Sequence, residues 1–261
     1  MGKVISLLNH KGGVGKTTSV INIGAAMVEL GKRALLIDLD PQANLTLSLG
    51  APRPPQTIYE AMRGESELIP IPVKENLDVI VSTLDLSGAE MELINEAGRE
   101  FILRELLSPL REEYDFIIID CPPSLGLLTL NALTSSDYVM IPLQTEFLAL
   151  QGLAKIKQVI QKVKLRLNKG LQIGGVVATM YDSRKVLNRD VVETIKKYFG
   201  DLVFETMIRD NVSLAEAPAQ RKDIYDYSRN SAGAEDYLSL SKEILERVEQ
   251  FEGKVREGVK E

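Results

Sequence analysis

The stretch His10-Lys11-Gly12-Gly13-Val14-Gly15-Lys16-Thr17-Thr18 follows the apolar run Val4-Ile5-Ser6-Leu7-Leu8-Asn9 without a break. A strand that ends in a glycine-rich turn and opens directly into a helix forms a phosphate cradle. Consecutive backbone N–H groups converge on one concavity, glycines remove the Cβ atoms that would block it, and the helix dipole adds positive potential. Within it Lys16 neutralises phosphate charge and Thr17 offers a hydroxyl to Mg²⁺. The common form of this loop has a glycine five residues before Gly15, where this chain has His10, and a second lysine, Lys11, stands just inside the loop.

Around this loop the chain has the means to build a large core. Its 261 residues are 44% hydrophobic and 26% charged, which fits one large domain or one domain with a small appendage. The net charge of −6 excludes a protein coated in positive charge, so any contact with nucleic acid must use a local patch or an assembled surface. Cys121 is the sole cysteine, which rules out an internal disulfide and a cysteine-ligated iron–sulfur cluster within one chain and fits a reducing compartment. Neither a leader nor an apolar stretch of membrane-spanning length, about 20 residues, is evident, so a cytoplasmic location is expected.

Continuous apolar runs recur at Lys3–Asn9, Arg33–Leu39, Leu77–Val81, Phe116–Ile119, Tyr138–Ile141, Ile173–Ala178 and Leu202–Met207. Unbroken rather than alternating hydrophobicity marks strands buried on both faces, and helical patterns between most of them make right-handed parallel crossovers the natural connection. The fold expected is α/β: a doubly wound, mostly parallel sheet flanked by helices on both faces. Helices are expected from Lys16 to about Leu30, with Gly31 as its stop, and over 90–112, 124–134, 148–167, 188–198 and 234–250. The Ala51–Pro55 stretch reads as a loop within one domain spanning 1–261, and 252–261 as a frayed tail.

Ligands of such sheets sit at the carboxyl ends of strands. There the sequence places Asp38 and Asp40, whose period-two spacing puts both carboxylates on one side of a strand end. Each is equally a residue that caps or turns the chain before the next helix. Phe116-Ile117-Ile118-Ile119-Asp120 is an apolar strand closing on an acid, the form in which a carboxylate supports Mg²⁺ beside a phosphate loop. Pro122 and Pro123 then stiffen a segment suited to sensing a terminal phosphate. Cys121 reads as a small buried residue. His10, the only histidine, is expected to pack beside the loop.

Taken together, these elements resemble the ParA/Soj family of DNA-partitioning P-loop ATPases, within a wider group that includes MinD. The resemblance covers nearly the whole chain and rests on Lys11–Thr18, Asp38-Leu39-Asp40-Pro41-Gln42, Asp120–Ser124, Pro142-Leu143-Gln144-Thr145-Glu146, Met180–Arg184 and Ser213–Pro218. It implies ATP and Mg²⁺ as ligands, bound by Lys11, Gly12, Gly13, Val14, Gly15, Lys16, Thr17 and Thr18, with Thr17 and Asp120 organising the metal and Asp38 supporting the switch. Lys11 would be the signature lysine that crosses to the ATP of a second copy, Lys16 would act within its own subunit, and Asp40 would orient the attacking water. The resemblance further implies an ATP-bound homodimer that binds DNA without sequence specificity and associates with the nucleoid. It also implies a ParB-type activator and chromosome or plasmid partitioning.

Candidate DNA contacts are Arg184, Lys185, Arg189, Arg221, Lys222 and Arg229. The stretch Tyr181–Arg229 holds nine basic and nine acidic residues, so these side chains act only if they gather on one face, and are otherwise solvated charges. The chain reads Ile208-Arg209-Asp210-Asn211-Val212-Ser213 where the family often has Ile-Pro-Arg-Asn-Val-Arg. The alternative is a MinD-like membrane-associated positioning ATPase. Its mark would be a carboxy-terminal amphipathic helix, for which Ile244, Val248, Phe251, Val255 and Val259 recur near helical spacing. No membrane partner is expected, because the last twenty residues hold six acids and five bases.

Overall fold

A computed structural model describes residues 1–146 and 152–258, with side chains to 253. The seven runs of extended backbone are β1 (Lys3–Leu7), β2 (Ala34–Asp38), β3 (Ile71–Lys74), β4 (Leu77–Ile80), β5 (Phe116–Asp120), β6 (Tyr138–Gln144) and β7 (Gln172–Thr179). They form one sheet in the order β3-β4-β2-β5-β1-β6-β7. All neighbours are parallel except β3 and β4. The interior strands β2 and β5 are buried along their whole length, as unbroken Val/Ile/Leu runs require when helices cover both faces.

One face is covered by α1 (Lys16–Glu29), α2 (Asn44–Leu49), α9 (Val212–Glu216), α10 (Ile224–Ser228) and α11 (Ala232–Gly258). The core there joins Val20, Ile23, Ala26 and Met27 of α1 to Leu36, Ile118, Tyr237 and Ile244. Gly31 follows α1 at φ 74°, and the N–H of Lys32 reaches back to the Met27 carbonyl, so the helix stops where its sequence said it would. The other face carries α3 (Ile58–Met62), α4 (Leu86–Glu92), α5 (Ile102–Leu107), α6 (Leu127–Ser135), α7 (Leu153–Arg166) and α8 (Val186–Phe199). Of the expected 148–167 helix, residues 148–151 lie outside the described residues.

Three local expectations are corrected. The 90–112 helix is broken into α4, a 3-10 turn at Leu93–Asn95, α5 and a second turn at Leu110–Glu112. Gly98, at φ 73°, and Pro109 interrupt it. The short antiparallel strand β3 at the sheet edge went unread because Pro70 and Pro72 punctuate its apolar residues, and proline within a run argues against a strand except at an edge. Leu202–Met207 is not a strand, although Val203 bridges Val176. Side chains of α11 satisfy the backbone groups a ladder would use. Arg247 donates to the Leu202 and Val203 carbonyls, and Glu243 accepts from the N–H groups of Glu205 and Thr206.

Three residues of the carboxy-terminal helix's apolar stripe turn inward, while Val259 and the side chain of Val255 lie outside the described residues. Ile244 and Val248 are buried, and Phe251 stacks on Tyr138 with ring centroids 5.5 Å apart. Helix α11 runs to Gly258, through most of the segment read as a tail. Among the described residues no helix is long and apolar enough to cross a membrane.

Candidate functional site

The turn between β1 and α1 is pinned from two strands. Asn9 Nδ2 donates to the Pro142 carbonyl at 2.8 Å, its Oδ1 accepts from Lys11 N at 3.0 Å, and Thr179 Oγ1 donates to the Val14 carbonyl at 2.9 Å. Gly13 and Gly15 stand at φ 74° and 85°, conformations that any Cβ would strain. Gly12 and Gly13 border open space, since an added Cβ on either would meet nothing within 4 Å. No side chain caps the first turn of α1, which leaves its orphan N–H groups directed at that space. An anion fits there on charge and on geometry.

The two lysines part company. Lys16 is 7% exposed, and its ammonium donates across the turn to the Lys11 carbonyl at 3.4 Å. Lys11 points outward: its Nζ lies 3.1 Å from Glu146 Oε2 and 3.5 Å from Gln144 Oε1, just past β6. Glu146 also accepts from Gln144 Nε2 at 2.8 Å. The neighbouring Thr145 Oγ1 donates to the Met180 carbonyl at 3.2 Å, and Asn188 Nδ2 donates to the Thr145 carbonyl at 2.6 Å. Met180, Val186 and Leu187 beside this cluster are exposed apolar side chains.

Register places two acids side by side, since Asp38 of β2 is the partner of Asp120 of β5. Asp120 is 1% exposed; its Oδ2 accepts from Thr17 Oγ1 at 2.6 Å, and its Oδ1 has no partner. Burial, then the nearby Asp38 charge, pushes its pKa up to about 8. An orphaned buried carboxylate oxygen beside a threonine hydroxyl at a phosphate cradle is a donor set that fits magnesium. No group of three or more His, Cys, Asp or Glu side chains among the described residues could hold a metal by itself.

Asp38 is anchored differently. Its Oδ2 accepts from Thr46 N at 2.8 Å and Thr46 Oγ1 at 2.7 Å, and its Oδ1 accepts from Asp40 N at 3.3 Å. Burial outweighs these bonds and pushes its pKa up to about 6. Asp40 is buried at the same strand end; its Oδ1 accepts from Gln42 N at 3.0 Å, and its carbonyl accepts from Ser82 Oγ at 3.0 Å. Both acids therefore also make the turn contacts that their alternative reading required. Thr46 and Ser82, joined by a 3.0 Å bond from Ser82 N to Thr46 Oγ1, were invisible to sequence reasoning, since neither sits in a glycine-rich or acidic pattern. Cys121 is fully buried with its thiol pushed up by that burial, and the His10 imidazole fills the space where a Cβ on Gly152 would stand.

The candidate DNA contacts fall into separate groups. Arg184, Lys185 and Arg189 flank the start of α8, where Arg184 pairs with Asp182 at 2.9 Å and Arg189 donates to the Ser183 carbonyl at 2.8 Å. Arg221 packs against Gly50 at the end of α2, with Lys222 next to it, and Arg229 pairs with Glu29 of α1 at 2.6 Å. Sequence reasoning passed over a stronger cationic surface. Residues 147–181 contain six bases and no acid. On and just after α7, Lys155, Lys157, Lys162, Lys164, Arg166 and Lys169 are all exposed and have no ion-pair partner among the described residues. That acid-free run was legible in the sequence.

A phosphate loop at the carboxyl end of a central parallel strand, followed by a helix, defines a P-loop nucleotide-binding protein. A family model described as an AAA domain (AAA_31) matches residues 2–173. The chain is 48% identical over 249 residues to the sporulation initiation inhibitor protein Soj of Bacillus subtilis, covering 94% of this chain and 98% of that one. It is 46% identical over 251 residues to the chromosome-partitioning ATPase Soj of Treponema pallidum, covering 95% and 98%. A crystal structure of cobyrinic acid a,c-diamide synthase from Mycobacterium smegmatis with bound ADP and magnesium superposes with a TM-score of 0.83. It is 37% identical and covers 95% of this chain and 96% of that one. The chain belongs to the Soj/ParA family of partitioning ATPases.

Proposed function

We propose that this chain is a magnesium-dependent ATPase in which bound ATP controls pairing with a second copy. In this reading the ATP-bound dimer binds DNA without sequence preference, associates with the nucleoid in the cytoplasm, and serves chromosome or plasmid partitioning. A ParB-type partner stimulates hydrolysis and release. The divergence of the two lysines is the observation that carries the proposal. Lys16 lies inside the cradle, whereas Lys11 stands on its rim and is held only by surface partners.

The backbone of Gly12–Thr18 holds the phosphates, and Lys16 neutralises them from within the same subunit. Thr17 and Asp120 are the residues that would hold Mg²⁺, which when bound spreads the charge developing on the transferred phosphoryl group. Asp40 orients the attacking water, and Asp38 ties that strand end to Thr46, so a change at the terminal phosphate reaches α2. Lys11 leaves Glu146 and lends its charge to the partner's phosphates. Met180, Val186 and Leu187, exposed beside Glu146, supply apolar area for the contact between copies. Pairing doubles every cationic patch on one face, which lets an acidic protein hold DNA only when ATP is bound. Lys185, Arg221, Lys222 and the basic face of α7 are exposed cations with no ion-pair partner among the described residues, available to meet phosphates. The inward packing of Ile244, Val248 and Phe251 of α11 favours this reading over a MinD-like membrane switch.

The test compares self-association and retention of unrelated DNA fragments with ADP and with a non-hydrolysable ATP analogue, across salt and beside anionic liposomes. Dimers and DNA retention only with the ATP analogue, with affinity falling steeply as salt rises, are expected. ATP-dependent liposome capture without DNA retention overturns the reading in favour of the membrane switch.

The Lys11–Glu146 pair gives a smaller, separate expectation. Both side chains are partly exposed, so the pair is worth up to about 1 kcal/mol. Glu146→Gln should tighten ATP-dependent self-association by about twofold to fivefold, as measured by analytical ultracentrifugation. Unchanged or weaker self-association would show that the pair does not restrain Lys11.

A further inference from the structure

One cavity among the described residues shares no residue with the nucleotide site. It is an open groove of about 1200 Å³ between α3, the 63–70 loop, α4 with its 3-10 extension, and α5. Its floor is apolar: Met62, Leu68, Leu93, Ile102, Leu106 and Leu110 line it, four of them buried. Its rim is acidic. Six glutamates line it against one arginine, and Arg63 is already occupied by Glu65 and Glu92, each at 3.0 Å. Glu67, Glu96, Glu105 and Glu113 are exposed, and their carboxylates have no ion-pair partner among the described residues. Beside the lining residues stand Ile69, Met91 and Ile94, with Met91 80% and Ile94 58% exposed.

We propose that this groove is a docking surface for a cationic amphipathic segment of a protein partner, which lays its apolar face on the Met62–Leu110 floor and its Lys or Arg side chains against the four free glutamates. Two features select this occupant. The volume exceeds the roughly 300–1,000 Å³ typical of small-molecule sites, and an open groove with an apolar floor and a charged rim is the form that takes the apolar face of an amphipathic segment. The unpaired charges on its rim are all of one sign, so they steer a cationic partner and repel an acidic one. Solvent-exposed apolar side chains clustered beside a polar rim are what an unfilled interaction surface presents.

The test uses the full chain and a labelled synthetic peptide of about 18 residues, five helical turns, with leucines on one face and lysines on the other. Three probes accompany it: the same peptide with glutamate for lysine, a same-charge peptide with serine for leucine, and the protein without any peptide. The lysine–leucine peptide is expected to bind and the other two are not. Combined Glu67→Lys, Glu96→Lys, Glu105→Lys and Glu113→Lys should weaken binding at least about tenfold, since four exposed pairs are lost together. Reversing four acids elsewhere, at Asp190, Glu193, Asp201 and Glu249, should change it by less than about threefold. All eight positions are exposed, and circular dichroism confirms that both variants fold. No binding of the lysine–leucine peptide, equal loss in the two charge-reversed proteins, or equal binding of the serine peptide overturns the proposal. Self-association of the protein that only the groove variant abolishes assigns the surface to a second copy and overturns it too.

Discussion

Lys11→Ala is expected to lower ATP turnover by about 10³-fold or more while leaving the affinity for ADP within about threefold, the scale on which a cation supplied across an interface acts in phosphoryl transfer. The argument rests on where the two lysines sit. Lys16 is buried in the cradle, where the proposed function has it contact ground-state phosphates, so its loss is expected to weaken binding of every nucleotide. The Lys11 side chain is 35% exposed and its Nζ is bonded outward to Glu146, away from the cradle. In the proposed function its contribution comes when a second copy presents a triphosphate, which is a transition-state rather than a ground-state term. A factor of 10³ corresponds to about 4 kcal/mol. The ion pair it gives up is worth at most about 1 kcal/mol, so the exchange is strongly favourable. Single-turnover hydrolysis and ADP titration, measured together, decide the matter. Turnover within about threefold of the parent protein would remove the inter-subunit role.

Asp120→Asn should have two effects of opposite sign. The first is a fall in magnesium-dependent hydrolysis of about 10² or more, comparable to losing one preorganised group at a site of developing charge. The second is a gain in stability of the nucleotide-free protein at alkaline pH. Asp120 is raised from 3.8 to about 8 by burial, so between those values the folded chain holds a proton that the unfolded chain releases. Stability therefore falls as pH rises through that window, and the whole penalty is present above about 8. Asparagine keeps the shape and removes the titration. Asp38, raised to about 6, adds a slope of the same sign in both proteins. Calorimetry of the nucleotide-free proteins should show the variant melting above the parent near pH 8.5, with the gap closing near pH 5. A constant gap, or a less stable variant at the higher pH, would mean that the buried carboxylate is not the strained element.

How much of this was legible follows the range of the interactions. The cradle, α1 and its Gly31 stop, and the acid closing β5 are local patterns, and each appears where the residues put it. The 90–112 helix failed at Gly98 and Pro109, two local breakers outweighed by a helical run of charges and leucines. The 202–207 segment failed for a longer-range reason. It is apolar enough for a strand, but Arg247 and Glu243 of α11 take the backbone groups that pairing with β7 would need. The partner of Lys11 was equally hidden, since Gln144-Thr145-Glu146 carried a resemblance but no stated contact. The acid-free run on α7 is legible in the sequence, whereas its presentation on one exposed helix depends on how α7 packs.

The sequence by itself determined the chemistry that one turn can hold and the two-faced burial of the sheet, because glycine conformation, helix onset and hydrophobic runs act over a few residues. Only the tertiary structure decided which lysine lies inside the cradle, how far Asp120 holds its proton and where the acidic groove opens. Those depend on groups brought together across the fold, as Lys11 and Glu146 are across 135 residues, and on water excluded by packing. Burial and the distance between charges are properties of the packed chain.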